Sequence, residues 1–323
     1  MALRPEHVGQ RVVVRSVLTG QTGPSGGPAM TDVLGVLDAF TDTSLVVRRD
    51  DGRLVTVERD RVVAAKPVPP KGSRSRISAE ALESVCAAGW QGTRQRRLGD
   101  WILRAAGGFT GRANSALVVG DPAMPVDEAL TRVHDFYRDA GLPVQGQAVV
   151  GSAELDMLHA RGWTAARPLE ADVLVQTASF DRMPPPQQGT GGSQDIRLRE
   201  LPTSDWLRRY GRSAARADDD VVLAVLTSGD LVTFASLGEP AVAIGRAVVT
   251  GDWLGLSAVE VDPSLQGRGL GSSVVAALLG WGATRGARSV YIQTLADNEA
   301  ARALYARFGF STHHTYRYLR PAS

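Results

Sequence analysis

The residues with the clearest chemical capacity cluster in the run from Val259 to Ser273, VEVDPSLQGRGLGSS. A strand over Leu256–Val261 is expected to lead into a turn at Asp262 and Pro263. Then come Gln266, Gly267, Arg268, Gly269, Leu270 and Gly271, with Ser272 in the first turn of a helix. Glycines let successive backbone N–H groups point into one concavity. The helix N-terminus adds unpaired donors and the positive end of its dipole. This arrangement is a cradle for a pyrophosphate. Two other glycine-rich designs do not fit. A dinucleotide fold turns at its first glycine directly after the strand and carries an acid about 20 residues on. Here five residues separate Val261 from Gly267, and no strand-end acid has that spacing. A Walker A loop needs Gly-Lys-Ser/Thr, and no lysine follows Lys71.

Further along, Asn298, Ala301, Tyr305, Gly309 and Phe310 fall at fixed intervals. Asn298 and Tyr305 are seven positions apart, which on a helix places them on one face, about 10 Å apart along the axis. The glycine loop resembles the Q/R-x-x-G-x-G/A signature of GCN5-related N-acetyltransferases, which bind acetyl-CoA. The later segment matches that family's N-x-x-A-x-x-x-Y-x-x-x-G-F pattern. The resemblance covers residues 194–320 or so.

The resemblance implies a set of roles. Acetyl-CoA would be the cosubstrate, held by Gln266 through Ser272 and by Asn298. Its pantetheine arm would lie along the strand before the loop, where that strand splays from its neighbour. Backbone groups of Val259 and Val261 would bind the arm, and a strand N–H would polarise the thioester. Tyr305 matches the usual general acid, and a phenol of pKa about 10 can protonate a thiolate whose thiol pKa is about 8.5. Glu260 matches a common position for the general base, and strand alternation points it away from the side of Val259 and Val261. The reaction would be direct attack by a primary amine, on a small molecule or on a protein lysine or N-terminus, within a ternary complex. A non-catalytic acetyl-CoA sensor, or a scaffold acting through the N-terminal domain, is the alternative.

The elements that must position these groups are read from composition and periodicity. Segments 67–76 and 182–194 are rich in Pro, Gly, Ser or Gln and read as linkers. They divide the chain into residues 1–66, 77–181 and 195–323. The first part shows short β-branched runs at Arg11–Leu18, Asp32–Leu37, Ser44–Arg48 and Arg53–Val57. A hairpin turn is expected at Asp50–Gly52 and a long Gly/Pro loop over 19–30. This predicts a small SH3-like β-barrel. The other two parts share a β-α-β-α-β pattern, with Ser115–Pro122 echoing Ser257–Pro263. The predicted fold class is therefore mixed (α+β or α/β): an SH3-like barrel followed by two acetyltransferase-like domains. In the first of these, Val119 and Leu158 stand where Glu260 and Tyr305 stand in the second. Its glycine loop is replaced by Ala123–Glu128, which marks it as degenerate.

Other features narrow the class. A net charge of +2 is too small to argue for a nucleic-acid partner, although only Lys66 and Lys71 among the 36 basic residues are lysines. One cysteine, Cys86, excludes an intrachain disulfide and a cysteine-built metal site. No metal is expected. No long uncharged apolar stretch and no apolar leader at the N-terminus are present, so the expectation is a cytoplasmic protein without a membrane partner. Asp218–Asp220 read as caps of a helix over Val221–Thr227. His313 and His314 are expected to face opposite sides of a terminal strand. Trp206, Trp253 and Trp281 read as core or pocket wall. Acceptor identity and oligomeric state are not encoded in any motif.

Overall fold

The computed structural model describes residues 3–22, 26–49, 53–68, 77–167, 172–183, 196–214 and 219–322. The chain divides into two compact units, Met1–Arg74 and Ser75–Ser323.

The first unit is five antiparallel strands: β1 (Arg11–Thr22), β2 (Pro28–Phe40), β3 (Ser44–Arg49), β4 (Leu54–Glu58) and β5 (Val62–Pro67). They lie in the order β4-β3-β2-β1-β5, so β1 is flanked by β2 and β5. Alternation places Val12, Val14, Val33, Leu37, Leu45, Val47 and Val57 in one buried cluster. The long loop expected over 19–30 is shorter than anticipated. β1 continues to Thr22 and β2 begins at Pro28, where the two ends still pair. The expected turn at Asp50–Gly52 and nearly all of segment 67–76 fall outside the described residues.

The second unit begins with α1 (Ala79–Gly89), capped by Ser78 Oγ, which accepts from Ala81 N. Then follow β6 (Arg94–Leu98), β7 (Trp101–Ala105), β8 (Ala116–Leu117), α2 (Val126–Asp139), β9 (Gly146–Val149), α3 (Ala153–Ala160), β10 (Trp163–Ala165) and β11 (Val173–Ser179). The later half contains β12 (Ile196–Arg199), α4 (Ser204–Arg209), α5 (Gly211–Ala214), α6 (Asp219–Leu226), β13 (Leu231–Leu237), β14 (Ala243–Thr250) and β15 (Trp253–Val261). It ends with α7 (Leu270–Thr284), β16 (Ser289–Leu295), α8 (Glu299–Ala306) and β17 (Ser311–Pro321). Asp219 and Asp220 lie inside α6 rather than before it, and Asp218 is outside the described residues.

All the strands of this unit join one 12-stranded sheet. Among the described residues its only parallel pairings are β8 with β9 and β15 with β16, each crossed by a helix, α2 or α7. The two halves are not separate sheets joined by a tether. β11, from the earlier half, pairs with β16 and β17 of the later one. β17 in turn pairs with β9 and β10 of the earlier half. The strand that ends each half is thus built into the other, and most of segment 182–194 lies outside the described residues.

The sheet has two covered faces. On one, α7 buries Val274, Val275 and Leu278 against Leu254 and Leu256 of β15 and Val290 and Ile292 of β16. On the other, α1 presents Leu82 and Cys86 to Val173, Val175, Tyr291, Tyr316 and Tyr318. Beside α1, Trp90, Phe109, Trp206, Tyr210 and Phe234 form a third cluster on that same side. Trp206 and Trp253 are buried, and Trp281 packs at the margin of the α7 core.

Candidate active site

The cradle begins at the end of β15. Hydrogen bonds from Ser264, side chain and then backbone, hold the Asp262 carboxyl below its ordinary range, and Arg209 Nη2 adds a bond at 2.7 Å. This fastens the turn that launches the glycine loop. Gly267 and Gly269 adopt φ of +78° and +81°, where an L side chain is strained. Gln266, Gly267, Arg268 and Gly269 are all exposed. Gly269 is the N-cap of α7 and supplies no side-chain cap, so the first-turn amides of Leu270, Gly271 and Ser272 have no helical acceptor. A free run of donors at the positive end of a 15-residue helix suits a diphosphate. This donor set fits the pyrophosphate of CoA.

Beside the cradle, β15 and β16 part. Their parallel register runs from Trp253↔Ser289 to Leu256↔Ile292, yet β15 continues to Val261 and β16 to Leu295. Past that point, among the described residues, β15 pairs only with β14, with Ile244↔Glu260 and Ala243↔Val261 at its end. Backbone around Val259 and Val261 therefore borders an open wedge between two strands of one sheet, as the splay expected from the resemblance requires.

A β-bulge sets which side chains face the wedge. The register of β14 with β15 slips between Arg246↔Ser257 and Ile244↔Glu260, leaving Ala258 and Val259 opposite Gly245. Ala258 takes φ of +52°, a left-handed value uncommon for alanine. Before the bulge the even residues Leu254 and Leu256 face α7, and after it the odd residues Val259 and Val261 do. Without the extra residue Glu260 would share the α7 face with Leu254 and Leu256. Instead it lies on the side of Ala258, Trp206 and Tyr210. There Glu260 Oε2 accepts from Gly211 N at 2.9 Å. The adjacent Tyr210 phenol is pushed up by burial, while Arg212 and Arg112 lower it and Glu260 raises it further.

Tyr305 is buried on α8 in the α7 core, its ring 5.6 Å from that of Phe310. Burial alone pushes its phenol above the ordinary value, so it is protonated at neutral pH. A Cβ placed on Gly271 would stand 3.5 Å from Leu304 Cδ2 and 3.5 Å from Val261 Cγ2. The start of α7, the end of β15 and α8 thus converge at Gly271. Asn298 stands directly before the first residue of α8. It is the N-cap, its Oδ1 accepting from Ala301 N at 3.0 Å.

The pairing of His313 and His314 also departs from strand alternation. A register slip in β17 leaves His313 unmatched between Thr312 and His314. Both rings therefore reach α1 and its approach. His313 Nδ1 lies 2.9 Å from His314 Nδ1, and His314 Nε2 lies 2.9 Å from buried Glu83 Oε1.

Sequence reasoning missed the residues that the earlier half brings to the wedge. Asn114 organises the 107–114 loop: its Oδ1 accepts from Ala106 N and Gly108 N, and its Nδ2 donates to Phe109 O and Thr110 O. Thr110 is held at φ of +60° and its Oγ1 accepts from Trp90 Nε1 at 3.0 Å. That loop carries Arg112, whose guanidinium stacks on Trp90 and donates to Gln293 Oε1 at 2.6 Å. Gln293 directly follows Ile292, the last parallel-paired residue of β16. The contact between residues 181 positions apart has no local signal.

A glycine-rich helix N-terminus beside a splayed parallel strand pair stands on a mixed α/β fold, the fold that comparison with known proteins also gives. A family model described as "Probable histone acetyltransferase Rv0428c C-terminal" matches residues 77–319. A second, "Rv0428c N-terminal Sm-like domain", matches residues 6–66. The "Probable histone acetyltransferase Rv0428c" of Mycobacterium tuberculosis is 30% identical over 97% of this chain and 95% of its own. A mycothiol acetyltransferase of Mycolicibacterium paratuberculosis is 32% identical over 68% of each chain. A solved GCN5-related N-acetyltransferase from Kribbella flavida shares the fold, with a TM-score of 0.54 and 16% identity over 79% of this chain and 98% of its own. The chain belongs to the Rv0428c-type family of GCN5-related N-acetyltransferases. It is an acyltransferase enzyme. The N-terminal unit is a β-rich domain of five strands that matches an Sm-like family model rather than an SH3-like one. Both readings grow from short antiparallel strands in one small barrel-like sheet, which strand patterning alone does not tell apart. No helix among the described residues is long and apolar enough to cross a membrane.

Proposed function

We propose that the protein transfers the acetyl group of acetyl-CoA to a primary amine by direct attack. The observation that carries this reading is the convergence at Gly271 of the α7 N-terminus, the splayed end of β15 and the helix bearing Tyr305. The pyrophosphate would rest on the amides of Gly267 through Ser272, with Gln266 and Arg268 at its margin. Asn298 would orient α8 beneath the CoA arm through its cap. Backbone groups of Val259 and Val261 would border the pantetheine, and a β15 N–H would polarise the thioester. Glu260, on the opposite face, would take a proton from the amine directly or through water. The nitrogen would bond to the acetyl carbon, the C–S bond would break, and Tyr305 would protonate the leaving sulfur. The raised Tyr305 phenol is a weaker acid than free tyrosine. The same desolvation raises the thiol of the leaving group, which keeps the transfer near balance.

We also infer that residues 77–181 are a degenerate acetyltransferase-like half whose remaining task is to shape the acceptor side. Support comes from the crossover of β8, α2 and β9, which repeats that of β15, α7 and β16. Leu158, in place of an acid, is fully buried. The test is a thermal shift with acetyl-CoA, followed by free-thiol release over a panel of amines and peptides. Stabilisation with turnover supports the transferase. Stabilisation without turnover on any amine supports the sensor. Glu260→Gln should lose most activity at low pH, where the acceptor amine is protonated, and an unaltered pH profile removes Glu260 as the base.

A further inference from the structure

Three buried or half-buried arginines lie on the α1 side of the sheet. Arg104 and Arg246 are nearly inaccessible, and Arg112 is half-buried. Their polar partners are unequal. Arg104 donates to Ser115 O, Ser115 Oγ and Gln147 Oε1. Arg246 donates to the carbonyls of Leu226, Ser228 and Gly89 and to Ser257 Oγ, tying two helix ends to β15. Burial pushes its pKa down to about 10. Arg112 has one hydrogen bond, to Gln293, and the face of Trp90. Among the described residues, Glu83 is the one fully buried carboxylate, and it is engaged by Gln147 Nε2 and His314 Nε2. A guanidinium carries five donors in a planar fork, and desolvating it without an anion is costly.

The position of Arg112 gives that surplus a use. Gln293 stands at the mouth of the wedge between β15 and β16. Phe109, three residues before Arg112, meets Tyr210 edge-on with ring centres 6.3 Å apart. The next residue after Tyr210, Gly211, holds Glu260. The Tyr210 phenol feels both Arg112 and Glu260. The loop that carries Arg112, through Phe109, and Glu260, through Gly211, therefore both adjoin the Tyr210 segment. The Asn114 hydrogen bonds and the Trp90–Thr110 bond tie down the loop that carries Arg112, as a preorganised binding group requires.

We propose that Arg112 is the specificity residue for the acceptor, which is an amine that also bears a carboxylate. Its amine would lie toward Glu260 and its carboxylate on the open edge of the Arg112 fork. Such an acceptor is an amino acid or an amine-bearing acid. A lysine-rich segment would instead bring cations toward Arg112 and Arg246. This inference rests on the acetyltransferase reading, and the experiment separates the two.

Thiol release is measured for matched acceptors that differ only in the carboxylate: lysine against cadaverine, phenylalanine against phenethylamine, and a short peptide with a free against an amidated C-terminus. Acetyl-CoA affinity is measured in parallel. The wild type should favour the carboxylate-bearing members in kcat/KM by about tenfold or more, the worth of one charged hydrogen bond. Arg112→Gln should erase the preference through KM, leaving kcat and acetyl-CoA affinity close to wild type, and Arg112→Lys should retain part of it. Equal kcat/KM within the pairs for the wild type overturns the inference without any variant, as does a preference that survives Arg112→Gln. Either result leaves the transferase standing. No thiol release with any member overturns the proposed function and this inference with it.

Discussion

Tyr305 and Glu260 illustrate how much of a residue's role comes from its surroundings. Tyr305 stands on α8 with its phenol raised by burial and no charged group acting on it. In the proposed role it stays protonated at neutral pH. Tyr305→Phe should lower kcat by about 10²–10⁴-fold, the usual worth of a general acid, with acetyl-CoA affinity nearly unchanged by titration calorimetry. Unchanged turnover across pH would remove Tyr305 from the proton path. Its spacing from Asn298 and Gly309 was legible in the sequence, because a helix repeats every 3.6 residues and needs no distant partner to do so. Asn298 kept its place in the motif yet acts locally as a cap, a role common for asparagine at that position.

At the scale of elements, two bulges decide what strand alternation alone cannot. The one at Ala258 turns Glu260 away from the α7 core. Ala258→Val forces a β-branched residue to φ of +52° and should cost about 1–3 kcal/mol in denaturant unfolding, whereas Ala258→Gly should not destabilise. Equal stability of the valine variant would mean that the bulge is not strained. The one at His313 brings two imidazoles against the approach to α1. Burial, and then the His314 charge, lower the His313 pKa below its ordinary value. The unfolded chain then binds more protons than the folded one, so stability falls as pH drops through about 6.5 toward the lowered value. His313→Gln should flatten that part of the profile of melting temperature against pH, and an unchanged slope would assign the loss to other groups. Neither bulged residue is a glycine or proline, and Gly245 lies on the partner strand, which is why period-2 reasoning failed for His313 and His314.

For the whole second unit, strand exchange is the dominant fact. β11 lies between β16 and β17, and β17 lies between β11 and β9. A cleavage site placed between Gln187 and Gln188 should, once cut, leave two fragments that co-elute under native conditions and unfold in one transition. Fragments that separate without denaturant would show that the exchanged strands do not hold the halves together. The glycine cradle, the α8 motif, most helices and strands, and the resemblance between the halves were legible from local pattern. Each of these is a pattern within one segment, set by backbone stereochemistry and local periodicity. That the halves share one sheet, that Glu260 leaves the α7 face and that Arg112 reaches Gln293 emerges in the folded chain alone. Those outcomes depend on pairing between segments far apart in the chain, where many registers satisfy the same local pattern and the choice falls to packing of the whole sheet.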